Sequence, residues 1–333
     1  FMNDLKQWTE SILMGNKLKV IPNMTYPGIE LCGRTIKEAV TSGEIHAEAI
    51  WRLNEKYPAD AITAIMDLTV EAEAFGAHIV FPENEIPSVS EPLFSSLEMV
   101  ETLPIPTLDT FRIPEYLKAN RLVASTIKDK PVLAGCIGPF SLAARLYGMT
   151  EIMIAIFTNP ETVHLLLRKC TTFLSSYCLA MKETGVDGVI MAEPVAGLLS
   201  NADCDIYSSA YVRQIVDQVQ DEQFLLVLHN CGNSGHCTSA MCHSGAHALH
   251  FGNKIDMLEA LNNIPSNILV MGNLDPVGLF KQANAEQVFT ATQELLERTR
   301  KYPNFILSTG CDIPPHIPHR NIEAFYQAAS LYQ

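Results

Sequence analysis

The feature that most constrains this chain is an alternation. Eight short apolar runs, at residues 19–22, 61–67, 131–137, 188–192, 224–229, 248–251, 268–272 and 305–308, each pass into a turn rich in Gly, Pro, Asn or Asp. A longer stretch with helical periodicity then follows. Several runs are nearly all apolar, the pattern of parallel strands buried on both faces. Helical patterning is plainest over residues 159–184, 208–220, 255–261 and 285–301. Two helix starts carry a capping Asn before an acidic first turn, at Asn159-Pro160-Glu161 and Asn284-Ala285-Glu286. Eight strands alternating with helices predict an α/β fold, a (β/α)8 TIM barrel built as one domain from residues 1–333. An open doubly wound sheet is the alternative. Against it, no G-x-G-x-x-G follows the first strand and no G-x-x-x-x-G-K-[ST] occurs anywhere. Residues 75–91 (FGAHIVFPENEIPSVSE) read as a β-hairpin inserted after the second strand.

Composition narrows the function classes. Hydrophobic residues make up 47% of the chain, enough for a sizeable core. Lys and Arg number 23 against 37 Asp and Glu, a formal charge of −14. A surface that acidic repels phosphate backbones and anionic headgroups, so neither nucleic acid nor a membrane is expected as a partner. No apolar run approaches the ~20 residues of a membrane-spanning helix. Residues 1–17 are polar and mixed in charge, unlike a signal peptide. The nine cysteines are odd in number and scattered, which is not a disulfide framework. A cytoplasmic protein is expected.

In a barrel of this kind, chemistry belongs to the C-terminal ends of the strands. Those ends read Asp67, Gly138-Pro139-Phe140, Glu193-Pro194, His229-Asn230-Cys231-Gly232, His250, Asn273-Leu274-Asp275-Pro276 and Thr309-Gly310-Cys311-Asp312. Nearly every apolar run ends in a polar or titratable residue, which a purely structural barrel does not require. Residues i and i+2 of an extended strand point to the same side, so His229 and Cys231 can grip one ion, and the last strand can bring Cys311 to the same end. One imidazole and two thiolates suit Zn²⁺ and leave its fourth position open, as in a catalytic site. The plainer alternative is buried Cys and His at strand ends, since an H-x-C spacing alone is weak. A rival cluster, His236, Cys237, Cys242 and His243 in GHCTSAMCHSG, fits no common zinc spacing and is expected to be helix packing and surface. Met66, Met191, Met241 and Met271 read as core filling.

The stretches MDLTVEAEAFG (66–76), AGCIGPFSLAARLYG (134–148), GVDGVIMAEPVAGLLS (185–200), LHNCG (228–232), MGNLDP (271–276) and LSTGCDIPPHIP (307–318) run in one order over most of the chain. In that order they resemble the uroporphyrinogen decarboxylase superfamily, and within it the zinc-dependent branch of methylcobamide:coenzyme M methyltransferases. The resemblance implies a (β/α)8 barrel and a His-x-Cys…Cys zinc motif at His229, Cys231 and Cys311. It also implies methyl transfer from a methylcobamide, carried on a separate corrinoid protein, to a small thiol activated on zinc. Glu193 is then expected to take the thiol proton or to orient His229, with a solvent-facing loop carboxylate as the alternative. His250, Asn273 and Asp275 are expected to line the mouth and contact substrate, although a structural use of GNLDP is at least equally open.

Two alternatives stand beside this expectation. The decarboxylases of the superfamily carry an Arg-Gln-Ala-Gly-Arg stretch near the N-terminus to receive a porphyrinogen's carboxylates. Here residues 21–34 (IPNMTYPGIELCGR) hold only Arg34, although Asp67 stands where those enzymes keep a catalytic Asp. The other alternative is a non-catalytic, zinc-bearing partner subunit.

Overall fold

The computed structural model describes residues 5–15 and 17–332. Ten strands occur among them: β1 (Lys19–Val20), β2 (Ile62–Thr63), β3 (Ile79–Val80), β4 (Ser88–Val89), β5 (Val132–Ile137), β6 (Gly188–Ala192), β7 (Leu225–Asn230), β8 (Ala248–Phe251), β9 (Leu269–Leu274) and β10 (Phe305–Thr309). Eight form one parallel sheet in the order β1-β10-β9-β8-β7-β6-β5-β2, while β3 and β4 pair antiparallel as a separate hairpin. No ladder joins β1 to β2. Asp60 spans that seam: its N–H donates to Val20 O at 2.9 Å, and its carboxylate accepts from Val20 N at 2.8 Å and Lys19 Nζ at 3.2 Å. The sheet thus curls into the expected (β/α)8 barrel.

The barrel is filled from its own sequence. Ile21, Leu133, Ile190, Val227, Leu269, Met271 and Ile306 point inward as one apolar cluster. Leu5 and Ile12, on the helix Leu5–Leu13, join that cluster and plug the end where the strands begin. A larger apolar layer packs the outer face of the sheet against the helices. The marked starts hold: Asn159 caps the helix Pro160–Glu183, accepting from Thr162 N at 3.4 Å. Asn284 and Gln287 form a capping box on Ala285–Thr299. No single helix among the described residues is long and apolar enough to cross a membrane.

Two local departures matter for the site. The run at 61–67 pairs as a strand only at Ile62 and Thr63. Beyond Ala64, Ile65 N–H donates to the buried ring of His46 (Nε2, 3.0 Å) instead of to a neighbouring strand, which frees residues 66–69 to line the barrel mouth. The helix expected over 208–220 is entered through a wider π-type turn, Asp205–Ser209, which aims Ser208 at Glu193.

Candidate metal centre

Strand register assembles the centre. Across the sheet Ala192 lies opposite His229, and His229 opposite His250, so the two imidazoles share a layer and a face. Cys231 follows two residues after His229, and Cys311 two residues after the end of β10. The ligand-capable atoms of His229, Cys231 and Cys311 all lie within 4.8 Å of one another, the one such group of His, Cys, Asp or Glu among the described residues. His229 is 1% exposed, and its Nε2 is buried with no hydrogen-bond partner. The Cys231 thiol is pulled well down by its hydrogen bond with Cys311 and by His229, and Cys311 is raised in turn. One of the two thiols therefore gives up its proton readily. A buried orphan imidazole nitrogen beside two thiols, one poised to ionise, is a donor set that fits a zinc ion.

His229 is held by a second histidine. His229 Nδ1 and His250 Nδ1 are 2.6 Å apart, and His250 Nε2 lies 2.8 Å from Ser308 Oγ. Burial depresses the His250 pKa well below its ordinary value, so this ring is neutral and has a lone pair to accept with. Were Nε2 given to an ion, His229 would carry its proton on Nδ1 and donate it to His250, which would carry its own on Nε2 and donate to Ser308.

Glu193 sits beside His229, its N–H donating to His229 O at 2.8 Å, but its carboxylate turns to other partners. Its carboxylate accepts from Ser141 N (2.9 Å), Phe140 N (3.3 Å) and Ser208 Oγ (2.5 Å), at the start of the helix Pro139–Tyr147. Burial still raises its pKa to about 7. A Cβ on Gly138 would lie 2.3 Å from Glu193 Cγ, so this packing requires glycine there. Asp67 is equally occupied. It pairs with the buried Arg112 (Oδ2 to Nη1, 2.5 Å) and accepts from Thr69 N at 2.9 Å and Thr69 Oγ1 at 2.7 Å. Arg112 in turn holds Glu73 at 2.6 Å.

Asn273 and Asp275 build loops. Asn273 Nδ2 donates to Gly252 O (3.0 Å) and Ile255 O (2.8 Å), while Asp275 Oδ1 accepts from Val277 N (2.9 Å) and Gly278 N (2.8 Å). The rival cluster disperses as expected. His236 Nε2 meets Leu199 O at 3.0 Å, Cys237 packs on the same carbonyl, and His243 pairs with Asp205 at 3.0 Å.

Beside the triad opens a cavity of about 330 Å³. His229, Cys231 and Cys311 form part of its wall, Met66, Leu68, Pro194 and Pro276 supply apolar surface, and Ile86 and Pro87 overhang it from the β3–β4 hairpin. Asn23, Tyr26, Arg145 and Asp312 are among the polar residues of the wall, and the sequence pointed to no role for Asn23, Tyr26 or Arg145. The only signal for Arg145 was its place within residues 134–148.

A profile of the family described as Uroporphyrinogen decarboxylase (URO-D) matches residues 24–332. The chain belongs to the uroporphyrinogen decarboxylase family. Among curated relatives, the methylcobamide:CoM methyltransferase MtbA of Methanosarcina mazei is 31% identical over 278 residues, covering 82% of this chain and 80% of that one. A uroporphyrinogen decarboxylase of Legionella pneumophila is 26% identical over 297 residues, covering 86% and 82%. The solved structure of a methyltransferase from Methanosarcina mazei superposes with a TM-score of 0.88 at 24% identity, covering 99% of each chain, a likeness of fold. Membership of this family, with methyltransferases nearer in sequence than decarboxylases, makes the chain an enzyme of the uroporphyrinogen decarboxylase superfamily.

Proposed function

We propose that the chain moves a methyl group from a methylcobamide, borne on a separate corrinoid protein, to a small thiol activated on Zn²⁺ held by His229, Cys231 and Cys311. The observation that carries this reading is the convergence of those three ligand atoms within 4.8 Å beside an open cavity, with His229 Nε2 buried and unpartnered. The name of the MtbA relatives, methylcobamide:CoM methyltransferase, supports the same direction of transfer. When bound, zinc with three protein ligands supplies a fourth position at which a thiol loses its proton and remains a nucleophile at neutral pH.

The chain's own residues do the rest. His250 and Ser308 fix the tautomer and tilt of His229, as outer partners of ligating histidines do. Glu193 pins the start of the helix after β5, and with it one wall of the mouth, through Phe140, Ser141 and Ser208. We assign Glu193 and Asp67 to building the mouth, and His250 to positioning. The apolar rim at Leu68, Ile86, Pro276 and Val277 excludes water from the line along which the methyl donor approaches the thiol.

The decarboxylase alternative meets a specific obstacle. Among the described residues Arg145 is the only lysine or arginine in the wall, whereas a substrate with many carboxylates calls for convergent guanidinium groups. Metal analysis combined with methylation of a thiol by methylcobalamin tests the proposal. About one zinc per chain and methylated thiol are expected. Metal-free protein that turns over uroporphyrinogen would refute it.

A further inference from the structure

Cys311 is the member of the triad that the sheet does least to hold. His229 lies inside β7 with a paired strand on either side, at Ala192 and at His250. Cys311 comes two residues after β10 ends and makes no backbone-to-backbone hydrogen bond among the described residues. Gly310 N–H, just before it, donates to Leu274 O at 2.7 Å, and there the ladder to β9 stops. On the other flank β1 pairs with β10 only at Lys19 and Val20. Past that point side chains take over. Asn23 N–H donates to Thr309 Oγ1 (3.0 Å), that hydroxyl donates to Asn23 O (3.1 Å), and Ile313 N–H reaches the same carbonyl (3.1 Å). The Asp312 carboxylate, next to Cys311, takes both donors of Thr25: the N–H on Oδ1 at 3.0 Å and the hydroxyl on Oδ2 at 2.6 Å. The loop is tied once more at His316, whose N–H donates to Glu30 Oε1 at 2.6 Å. His316 is held there at φ +65°, a left-handed conformation uncommon outside glycine.

Thr25 gives up a local role for this contact. It stands at the N-cap of the helix Tyr26–Leu31, where a threonine oxygen ordinarily accepts from the helix's own first N–H groups, yet it makes no such bond. Its hydroxyl, in a residue 2% exposed, goes to Asp312 instead. With both oxygens engaged, the Asp312 side chain is fixed in direction as well as distance, and the backbone that carries Cys311 is fixed with it. Resting on the zinc reading above, we propose that Thr25 and Asp312 are positioning residues of the metal centre, whose paired hydrogen bonds hold the loop after β10 so that Cys311 Sγ stays within reach of His229 and Cys231. His229 has His250 and Ser308 for this purpose, and Cys311 has the loop that follows β1. Metal binding is thereby linked to the segment that also supplies Asn23 and Tyr26 to the cavity wall.

Co²⁺ in place of zinc tests this directly, because sulfur-to-cobalt charge-transfer absorption counts thiolate ligands. At saturating Co²⁺ the parent should give a two-thiolate signal and Cys311→Ala about half of it. Asp312→Ala and Thr25→Val should fall toward the Cys311→Ala level. Both should also lose about 10–100-fold in zinc affinity in a chelator competition, the usual effect of removing an outer partner of a metal ligand. Thr25→Ser, which keeps the hydroxyl, should stay within about threefold of the parent. Asp60→Asn is the structural control. It weakens the hold on β1 at the opposite end of the barrel, so it should lower the melting temperature and leave signal and affinity unchanged. Should Asp312→Ala not fold, Thr25→Val decides, since it leaves the Thr25 N–H bond in place. The inference is overturned if Thr25→Val and Asp312→Ala keep the parent's signal and affinity, or if Asp60→Asn loses them to the same extent. Affinity lost with the two-thiolate signal intact also overturns it, since Cys311 is then still in place. A parent that binds neither Co²⁺ nor Zn²⁺ refutes the zinc reading itself, and this inference with it.

Discussion

The resemblance set Asp67 at the position of a catalytic carboxylate, yet its surroundings in this chain make it one half of a buried ion pair. Replacing it separates the two roles. In Asp67→Ala, Arg112 loses the partner 2.5 Å from Nη1, and Thr69 N–H loses its acceptor. Breaking a buried pair by removing one partner costs roughly 3–5 kcal/mol. Glu73 remains at 2.6 Å from Arg112 Nε, and Thr69 Oγ1 still accepts from Nη2 at 2.8 Å, which places the loss at the lower end. The stranded Thr69 N–H adds about 1 kcal/mol, for a total of about 4 kcal/mol. Asp67→Asn keeps an oxygen for Thr69 and removes only the charge, so about 2–3 kcal/mol is expected. For a chain of 333 residues, an unfolding entropy of about 2.1 cal/mol/K per residue gives about 0.7 kcal/mol/K. The melting temperature should therefore fall by about 6 °C in Asp67→Ala and about 3–4 °C in Asp67→Asn. Scanning calorimetry reads both, and Arg112→Met combined with Asp67→Ala closes a double-mutant cycle with a coupling of at least about 1.5 kcal/mol. Full loss of activity with a melting temperature within about 1 °C of the parent would refute this reasoning. It would mean that Asp67 touches substrate and that the pair with Arg112 contributes little.

Three further outcomes are expected. Cys311→Ala should lose most bound zinc while keeping the barrel's circular dichroism, because the triad lies at the mouth and the inner apolar cluster does not depend on it. His250→Ala should weaken zinc affinity by about 10–100-fold in a chelator competition, and Ser308→Ala by less, since each removes an outer partner of His229. Glu71 has a folded pKa raised to about 8 by burial, so the folded state holds a proton that the unfolded state releases near 4.5. Stability is then full below pH ~4.5 and falls as pH rises toward 8, by at most roughly 5 kcal/mol. Urea titrations of metal-free Glu71→Gln at pH 5 and 8 should show a shallower fall than the parent and a more stable protein at pH 8.

The barrel was legible because its strands are apolar on both faces and its helix starts carry side-chain caps. The runs at 188–192 and 248–251 coincide with β6 and β8. The run at 61–67 was misjudged for a physical reason. The imidazole of His46 accepts the Ile65 N–H, so residues that look like strand serve as loop, and no local pattern announces a partner 19 positions away. At the site, spacing suggested His229 and Cys231, the barrel's closure suggested Cys311, and the resemblance strengthened all three as zinc ligands. What lay beyond the sequence was which polar groups are already engaged. Glu193, Asn273 and Asp275 look catalytic at strand ends, but each side chain is engaged by backbone groups: a helix start for Glu193, another loop for Asn273 and its own loop for Asp275. The tie between His250 and His229 could be read only after the β7–β8 register was known. Arg145 sits on a helix after β5, and nothing in the sequence marks it as part of the cavity wall.

The distribution of engaged and free polar groups separates the two ends of the barrel. Where the strands begin, Asp60 and Asp187 look equally suited to chemistry, yet each carboxylate accepts a backbone N–H from a neighbouring strand: Val20 N at 2.8 Å and Val132 N at 2.8 Å. Those acids staple the barrel. Where the strands end, Asp67, Glu193, Asn273 and Asp275 are engaged in the same way, holding loops and a helix start. At the mouth, His229 Nε2 and Asn23 Oδ1 are buried without a partner in the wall of one cavity that Cys231 and Cys311 also line. Folding alone would favour pairing or removing each of them, because an unpaired polar group near the interior opposes the folded state. Their place in the cavity wall beside two thiols leaves the imidazole nitrogen and both sulfurs open to a bound ion rather than spent on the fold.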